Sequence, residues 1–110
     1  MSVIMTLWIQ GDARKVEEVA RADPGRMRSI LETAKEHGLI AHRFYGSPAG
    51  DQVLVIDEWP DPESFQAFFE AAGDRIGSLM QEAGVTAEPR PAFWSKLDVG
   101  DDYGWGAEDR

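Results

Sequence analysis

The strand-like segments of this chain are apolar on both sides of their two-residue alternation, and that constrains the fold more than any other feature. In residues 3–9, Ile4, Thr6 and Trp8 share one side, and Val3, Met5, Leu7 and Ile9 share the other. In residues 39–45, Ile40, His42 and Phe44 oppose Leu39, Ala41, Arg43 and Tyr45. In residues 52–59, Val53, Val55, Asp57 and Trp59 oppose Gln52, Leu54, Ile56 and Glu58. A strand wetted on one face alternates cleanly between apolar and polar residues. These segments do not, so their sheet needs a cover on both faces. A chain of 110 residues makes one domain.

Helical spacing fills the intervals. Val16, Val19 and Ala20 predict a short helix near 13–21. Asp23 then caps a second helix near 24–37, with Pro24 at its first position, and the two run as one kinked unit. Its stripe is Met27, Ile30, Leu31 and Ala34, and Gly38 stops it. Asp61–Pro62–Glu63–Ser64 repeats the capping pattern before Phe65, Phe68, Phe69 and Ala72. Ile76, Leu79, Met80 and Ala83 continue the stripe to Gly84, with Gly73 as a candidate interruption. Residues 46–51 join strands 39–45 and 52–59 as a hairpin. Pro89 and Pro91 exclude a central strand around them, and 92–97 is the last strand. The order is strand, helix, strand, strand, helix, strand. Right-handed crossovers then give an α+β fold: a four-stranded antiparallel sheet with both helical units on one face.

One apolar sheet face is left over. We expect a homodimer in which two sheets pack face to face, closing an interior between them. The rival solution is a monomer whose tail folds back, with Tyr103 and Trp105 as plugs.

Charge narrows the partners. Twenty acids against eleven bases give a net charge of −9, which excludes a broad nucleic-acid surface. Residues 98–110 hold five acids and one arginine, so the chain divides into a domain at 1–97 and an acidic C-terminal tail at 98–110. The chain has no cysteine, which removes disulfides, thiolate metal sites and cysteine nucleophiles. No stretch approaches the ~20 apolar residues of a membrane span. The opening residues lack a basic region and a cleavage site, so the expectation is a cytoplasmic protein with no membrane contact.

The segments Gly38–Tyr45 and Val53–Trp59, with the helix around Phe65–Gln66–Ala67–Phe68–Phe69, resemble the dimeric α+β-barrel superfamily over about residues 3–97. Within it they are most similar to the antibiotic-biosynthesis-monooxygenase-like proteins. The resemblance implies a ferredoxin-like βαββαβ sandwich that dimerises through its sheets. It also implies a cofactor-independent monooxygenase acting on a small phenol or quinol. Other members of the superfamily degrade haem, or use it, and some have no known activity. The oxygenase branch often carries a histidine early in the helix after the tryptophan. Phe68, Phe69 and Glu70 stand there in this chain, which removes that helical histidine as a base or a haem ligand.

His42 is then the candidate catalytic residue, a base or phenol partner facing the shared interior. Trp8, Phe44, Asp57, Trp59, Phe93 and Trp94 are candidate substrate-binding residues, the aromatic ones as walls for a planar ring. Their structural alternative is ordinary core or interface packing. Asp57 and Glu58 point to opposite faces, and either is a candidate ion-pair partner for Arg43. His37 ends a helix, where it caps carbonyl groups. The two histidines match no closed metal set, the glycines no phosphate loop, and no cofactor motif is present. The competing functions are a non-catalytic small-molecule binder and a structural homodimer.

Overall fold

A computed structural model describes residues 1–104 of the chain. Its elements are β1 (Val3–Gln10), α1 (Ala13–Ala22), α2 (Pro24–Glu36), β2 (Ala41–Gly46), β3 (Gln52–Trp59), α3 (Pro62–Glu82) and β4 (Arg90–Ser95). The first helical unit breaks at Asp23, as the capping pattern requires. Each helix opens on an aspartate whose carboxylate accepts from the first turn. Asp12 takes the amides of Arg14 and Lys15, Asp23 takes that of Arg26, and Asp61 takes both the amide and the hydroxyl of Ser64. Pro24 and Pro62 occupy the first helical turn, where a missing N–H costs nothing. Gly73 does not interrupt α3, which runs unbroken for 21 residues. A helix-interior glycine costs only about 1 kcal/mol, and burial of Phe68, Ala72, Leu79 and Met80 around it outweighs that.

The strands pair antiparallel in the order β2-β3-β1-β4. This is the ferredoxin-like arrangement, with the two longest strands in the middle. β4 starts at Arg90, earlier than expected, and contains Pro91 opposite Leu7. It is an edge strand, and an edge tolerates a residue without an N–H. The β2–β3 hairpin is tighter than a six-residue loop. Ser47 donates its backbone N–H to the Gln52 carbonyl at 2.9 Å, and its hydroxyl accepts from the amides of Asp51 and Gln52. At the base of that turn a Cβ on Gly46 would lie 2.9 Å from the Ala13 Cβ, so only glycine lets β2 pass the start of α1.

All three helices cover the same face of the sheet. Met5, Leu7, Ile9, Val53, Val55 and Trp59 pack there against Val16, Ala34, Phe65, Phe68, Leu79 and Met80. The rings of Trp59 and Phe68 are 5.3 Å apart, and Phe65 meets Phe93 edge-on at 5.8 Å. Two arginines fasten α2 to α3. Arg26 makes a forked pair with Glu82 at 2.6 and 3.2 Å, and Arg75 reaches Ser29 and the Thr33 hydroxyl. The fork from Arg26 holds the Glu82 carboxyl below its usual range.

The opposite face carries Ile4, Thr6, Trp8, Tyr45, Leu54, Ile56 and Trp94. Trp8 and Tyr45 are each 40% exposed there, and Trp94 is 57% exposed. Tyr103 is 93% exposed, so it is not a plug for this face. Trp105, the other proposed plug, lies outside the described residues. Among the described residues no helix is long and apolar enough to cross a membrane.

Candidate functional site

An antiparallel ladder puts directly opposed residues on one face. The β2–β3 register sets His42 opposite Asp57 and Phe44 opposite Val55. Val55, Asp57 and Trp59 are buried beneath the helices, so His42 and Phe44 face the helices as well. There they line a cavity of about 80 Å³ between the sheet and helices α2 and α3. Met27, Ile30 and Leu31 of α2 form one wall, and Phe65, Phe69 and Ile76 of α3 form another. The side chains of Leu31 and Phe44 are partly exposed, which marks the mouth between α2 and the edge strand β2.

The cavity wall has two polar side chains, His42 and Asp57, and is otherwise apolar. They touch each other: His42 Nδ1 lies 2.6 Å from Asp57 Oδ1. The second carboxylate oxygen, Oδ2, accepts from Trp59 Nε1 at 3.1 Å. Asp57 is 4% exposed and is the one residue with a charged side chain in the buried core of the described residues. A buried carboxylate without partners is costly, and here each oxygen has a donor. The His42 side chain is 32% exposed and bridges cavity and mouth. Phe44 meets its ring edge-on at 5.2 Å.

The chemistry follows from the donor inventory. An ionised carboxylate only accepts, so a neutral His42 carries its proton on Nδ1, toward Asp57. Nε2 is then the unprotonated nitrogen, not engaged by Asp57. A histidine backed by a carboxylate takes a proton well, because the carboxylate stabilises the imidazolium that forms. Among the described residues no group of three or more histidine or acidic side chains can hold a metal ion.

The residues expected to form the site divide between the two sheet faces. His42, Phe44 and Asp57 come together at the cavity. Trp59 and Phe93 lie on the same face but in the aromatic core beside it, against Phe65. Trp8 and Trp94 lie on the other face, where Trp94 donates to the Thr6 hydroxyl at 2.8 Å and Trp8 to Gln52. The expectation that His42 faces an interior shared by two sheets is therefore corrected. The His42 cavity sits inside one subunit, because His42 shares the parity of Asp57 and Val55, which the helices cover.

Other expectations shift with the register. Asp57 pairs with His42, while Glu58 accepts from the Ser2 hydroxyl on the opposite face. Arg43 donates to the Tyr45 hydroxyl at 3.3 Å. His37 caps α2, with Nδ1 donating to the Thr33 carbonyl at 2.9 Å. The sequence reading passed over the helical wall of the cavity. Met27, Ile30 and Leu31 have the spacing of a core stripe, and nothing in a stripe distinguishes a filled core from a gap in one. The His42–Asp57 pair depends on the hairpin register, and a six-residue loop at 46–51 would have set His42 opposite Val55 instead.

No protein-family model matches the chain, and no curated protein sequence is similar to it. Solved structures do match. A monooxygenase of Streptomyces coelicolor, determined in complex with nanaomycin D, superposes with a TM-score of 0.67 over 93% of this chain and 92% of its own, at 14% identity. A dimeric ferredoxin-like protein from an uncultured marine organism gives 0.65 over 93% of both chains at 11% identity. A candidate antibiotic biosynthesis monooxygenase from Deinococcus radiodurans gives 0.62 over 93% of this chain and 99% of its own, at 12% identity. At these identities the likeness is one of fold. The chain has the ferredoxin-like fold of dimeric α+β-barrel proteins. Its structural neighbours include antibiotic biosynthesis monooxygenases and dimeric ferredoxin-like proteins, in line with the sequence resemblance.

Proposed function

We propose that the protein is a cofactor-independent monooxygenase that oxidises a small phenol or hydroquinone with His42 as its general base. The observation that carries this reading is the His42–Asp57 pair, two touching polar groups in an otherwise apolar cavity. A cavity of that kind excludes water and orients a ring by its one hydroxyl. His42 Nε2 takes the hydroxyl proton, and Asp57 stabilises the resulting imidazolium. The phenolate is the electron-rich species that dioxygen attacks. In the overall reaction phenol and O₂ give quinone and water: one oxygen atom enters the ring as a carbonyl, the other leaves as water, and the substrate supplies the electrons.

The cavity sets the size of the substrate. Its volume of about 80 Å³ is below the roughly 150 Å³ that holds a benzene molecule. A single ring must therefore displace side chains as it enters. Met5, Met27 and Met80, three of the four methionines in the chain, line the cavity, and their unbranched, flexible chains yield most readily. The working form in this reading is a homodimer joined through the bare sheet face, with one catalytic cavity in each subunit.

The test is oxygen uptake with a series of one-ring phenols and hydroquinones. The native protein is expected to consume oxygen, and His42→Ala to lose about 10²–10⁴-fold of that rate while keeping its melting temperature within a few degrees. Full activity in His42→Ala eliminates the mechanism. Phenol binding by the native protein without oxygen uptake indicates the non-catalytic binder instead.

A further inference from the structure

The buried contact between Trp59 and Asp57 has a direction. Trp59 is 0% exposed and packs against the rings of Phe65 and Phe68, so its indole N–H has no access to water and needs a partner inside the core. An indole nitrogen donates and never accepts. Its partner atom on residue 57 must therefore be an acceptor. The hydrogen bonds run from Trp59 Nε1 to Oδ2 and from His42 Nδ1 to Oδ1.

We propose that Trp59 is a positioning residue for His42: by claiming one oxygen of Asp57, its indole N–H fixes the carboxylate whose other oxygen meets the imidazole, and it would fix which end of an amide at that position faces His42. In the native protein both ends of the carboxylate accept. The indole then fixes the carboxylate plane and aims Oδ1 at Nδ1, keeping the Nε2 lone pair for the cavity. The catalytic consequence rests on the reading of His42 as the base; the tautomer does not.

An amide at position 57 makes the choice of the indole visible. In Asp57→Asn the side chain keeps its shape but has one acceptor and one donor end. Turning the NH₂ toward Trp59 would set two donors against each other in a buried site, leaving both unsatisfied. The amide oxygen therefore goes to Trp59 and the NH₂ faces His42. The imidazole must then accept at Nδ1 and hold its proton on Nε2, the reverse of the native tautomer. A second substitution, Trp59→Phe, keeps an aromatic ring in the core and removes the demand for an acceptor. The amide oxygen is then free to turn to His42, and the tautomer population moves back toward Nδ1–H.

Imidazole nitrogen chemical shifts of ¹⁵N-histidine-labelled protein read this directly, because they separate the two neutral tautomers from each other and from the imidazolium. The chain has two histidines, and His37, bonded to the Thr33 carbonyl, serves as an internal reference that stays Nδ1–H throughout. The expected results are predominantly Nδ1–H in the native protein, predominantly Nε2–H in Asp57→Asn, and a shift back toward Nδ1–H in Asp57→Asn/Trp59→Phe. Retention of Nδ1–H in Asp57→Asn overturns the proposal, as does an Nε2–H tautomer that persists in the double variant. If the double variant does not fold, the single substitution decides. Oxygen uptake plays no part in the readout, so failure of the proposed activity and failure of this proposal are separately visible.

Discussion

The two faces of this sheet contain similar side chains and meet different fates. On the helix side Trp59 is fully buried, its ring packed on Phe68 and its nitrogen satisfied by Asp57. On the bare side Trp94 has a hydrogen-bond partner in Thr6 and still leaves more than half its surface to solvent. Tryptophan is equally apolar in both places. The comparison shows that the helical layer fills one face, and that the other is finished as packing chemistry but not as a covered surface. The polar pair and the exposed rings thereby separate: His42 and Asp57 lie under the helices, and the unshielded rings lie opposite.

That separation can be broken from either side. The largest effect is expected from Phe68→Ala, which opens a hole beneath Trp59 and should cost about 3–5 kcal/mol. Chemical denaturation should show a midpoint lowered by an amount that does not depend on protein concentration. An equal cost that varies with concentration would mean that the helix side also takes part in association. Trp94→Glu should act the other way. In the proposed dimer through the bare face Trp94 would be buried, and a buried interface tryptophan is worth about 2 kcal/mol or more, so the dimer constant should weaken by roughly 30-fold or more. Sedimentation at micromolar concentration should find single subunits in which the His42–Asp57 contact persists. A dimer unaltered by this substitution would show that the bare face is not the contact.

The smallest effect concerns pH. The hydrogen bond from Arg26 lowers the Glu82 carboxyl from its ordinary value of 4.5. A lowered carboxylate stabilises the folded state above the unfolded value, and this contribution disappears as the pH falls through the folded one. Glu82→Gln should therefore flatten the acid limb of the stability curve below about pH 4.5, without changing its slope near neutrality. Because the Glu82 side chain is more than half exposed the change should be slight, and added salt should reduce it in the native protein alone. An acid limb identical in the two proteins would place the acid sensitivity elsewhere.

Much of the architecture was legible because it rests on local rules. Aspartate–proline pairs start α2 and α3, glycines stop helices, and two-residue alternation marks the strands. Gly73 reads as a candidate interruption because local propensity knows nothing of the core that Ala72 and Leu79 share. β4 was placed late because prolines read as breakers until the strand is known to be an edge. At the site, residue types were legible and their partners were not. His42, Phe44 and Asp57 were singled out, but Trp8 and Trp94 were grouped with them on chemistry alone.

The order of elements, their caps and the shared side of His42 and Phe44 follow from the sequence by itself, because each depends on neighbours a few positions away. Tertiary structure decided which face the helices cover, that Asp57 meets His42 and not Arg43, and that the His42 cavity lies between the sheet and its own helices. These depend on the hairpin register and on the layer packed above it. A two-residue change in loop length alters every cross-strand partner while leaving the sequence pattern of each strand as it was.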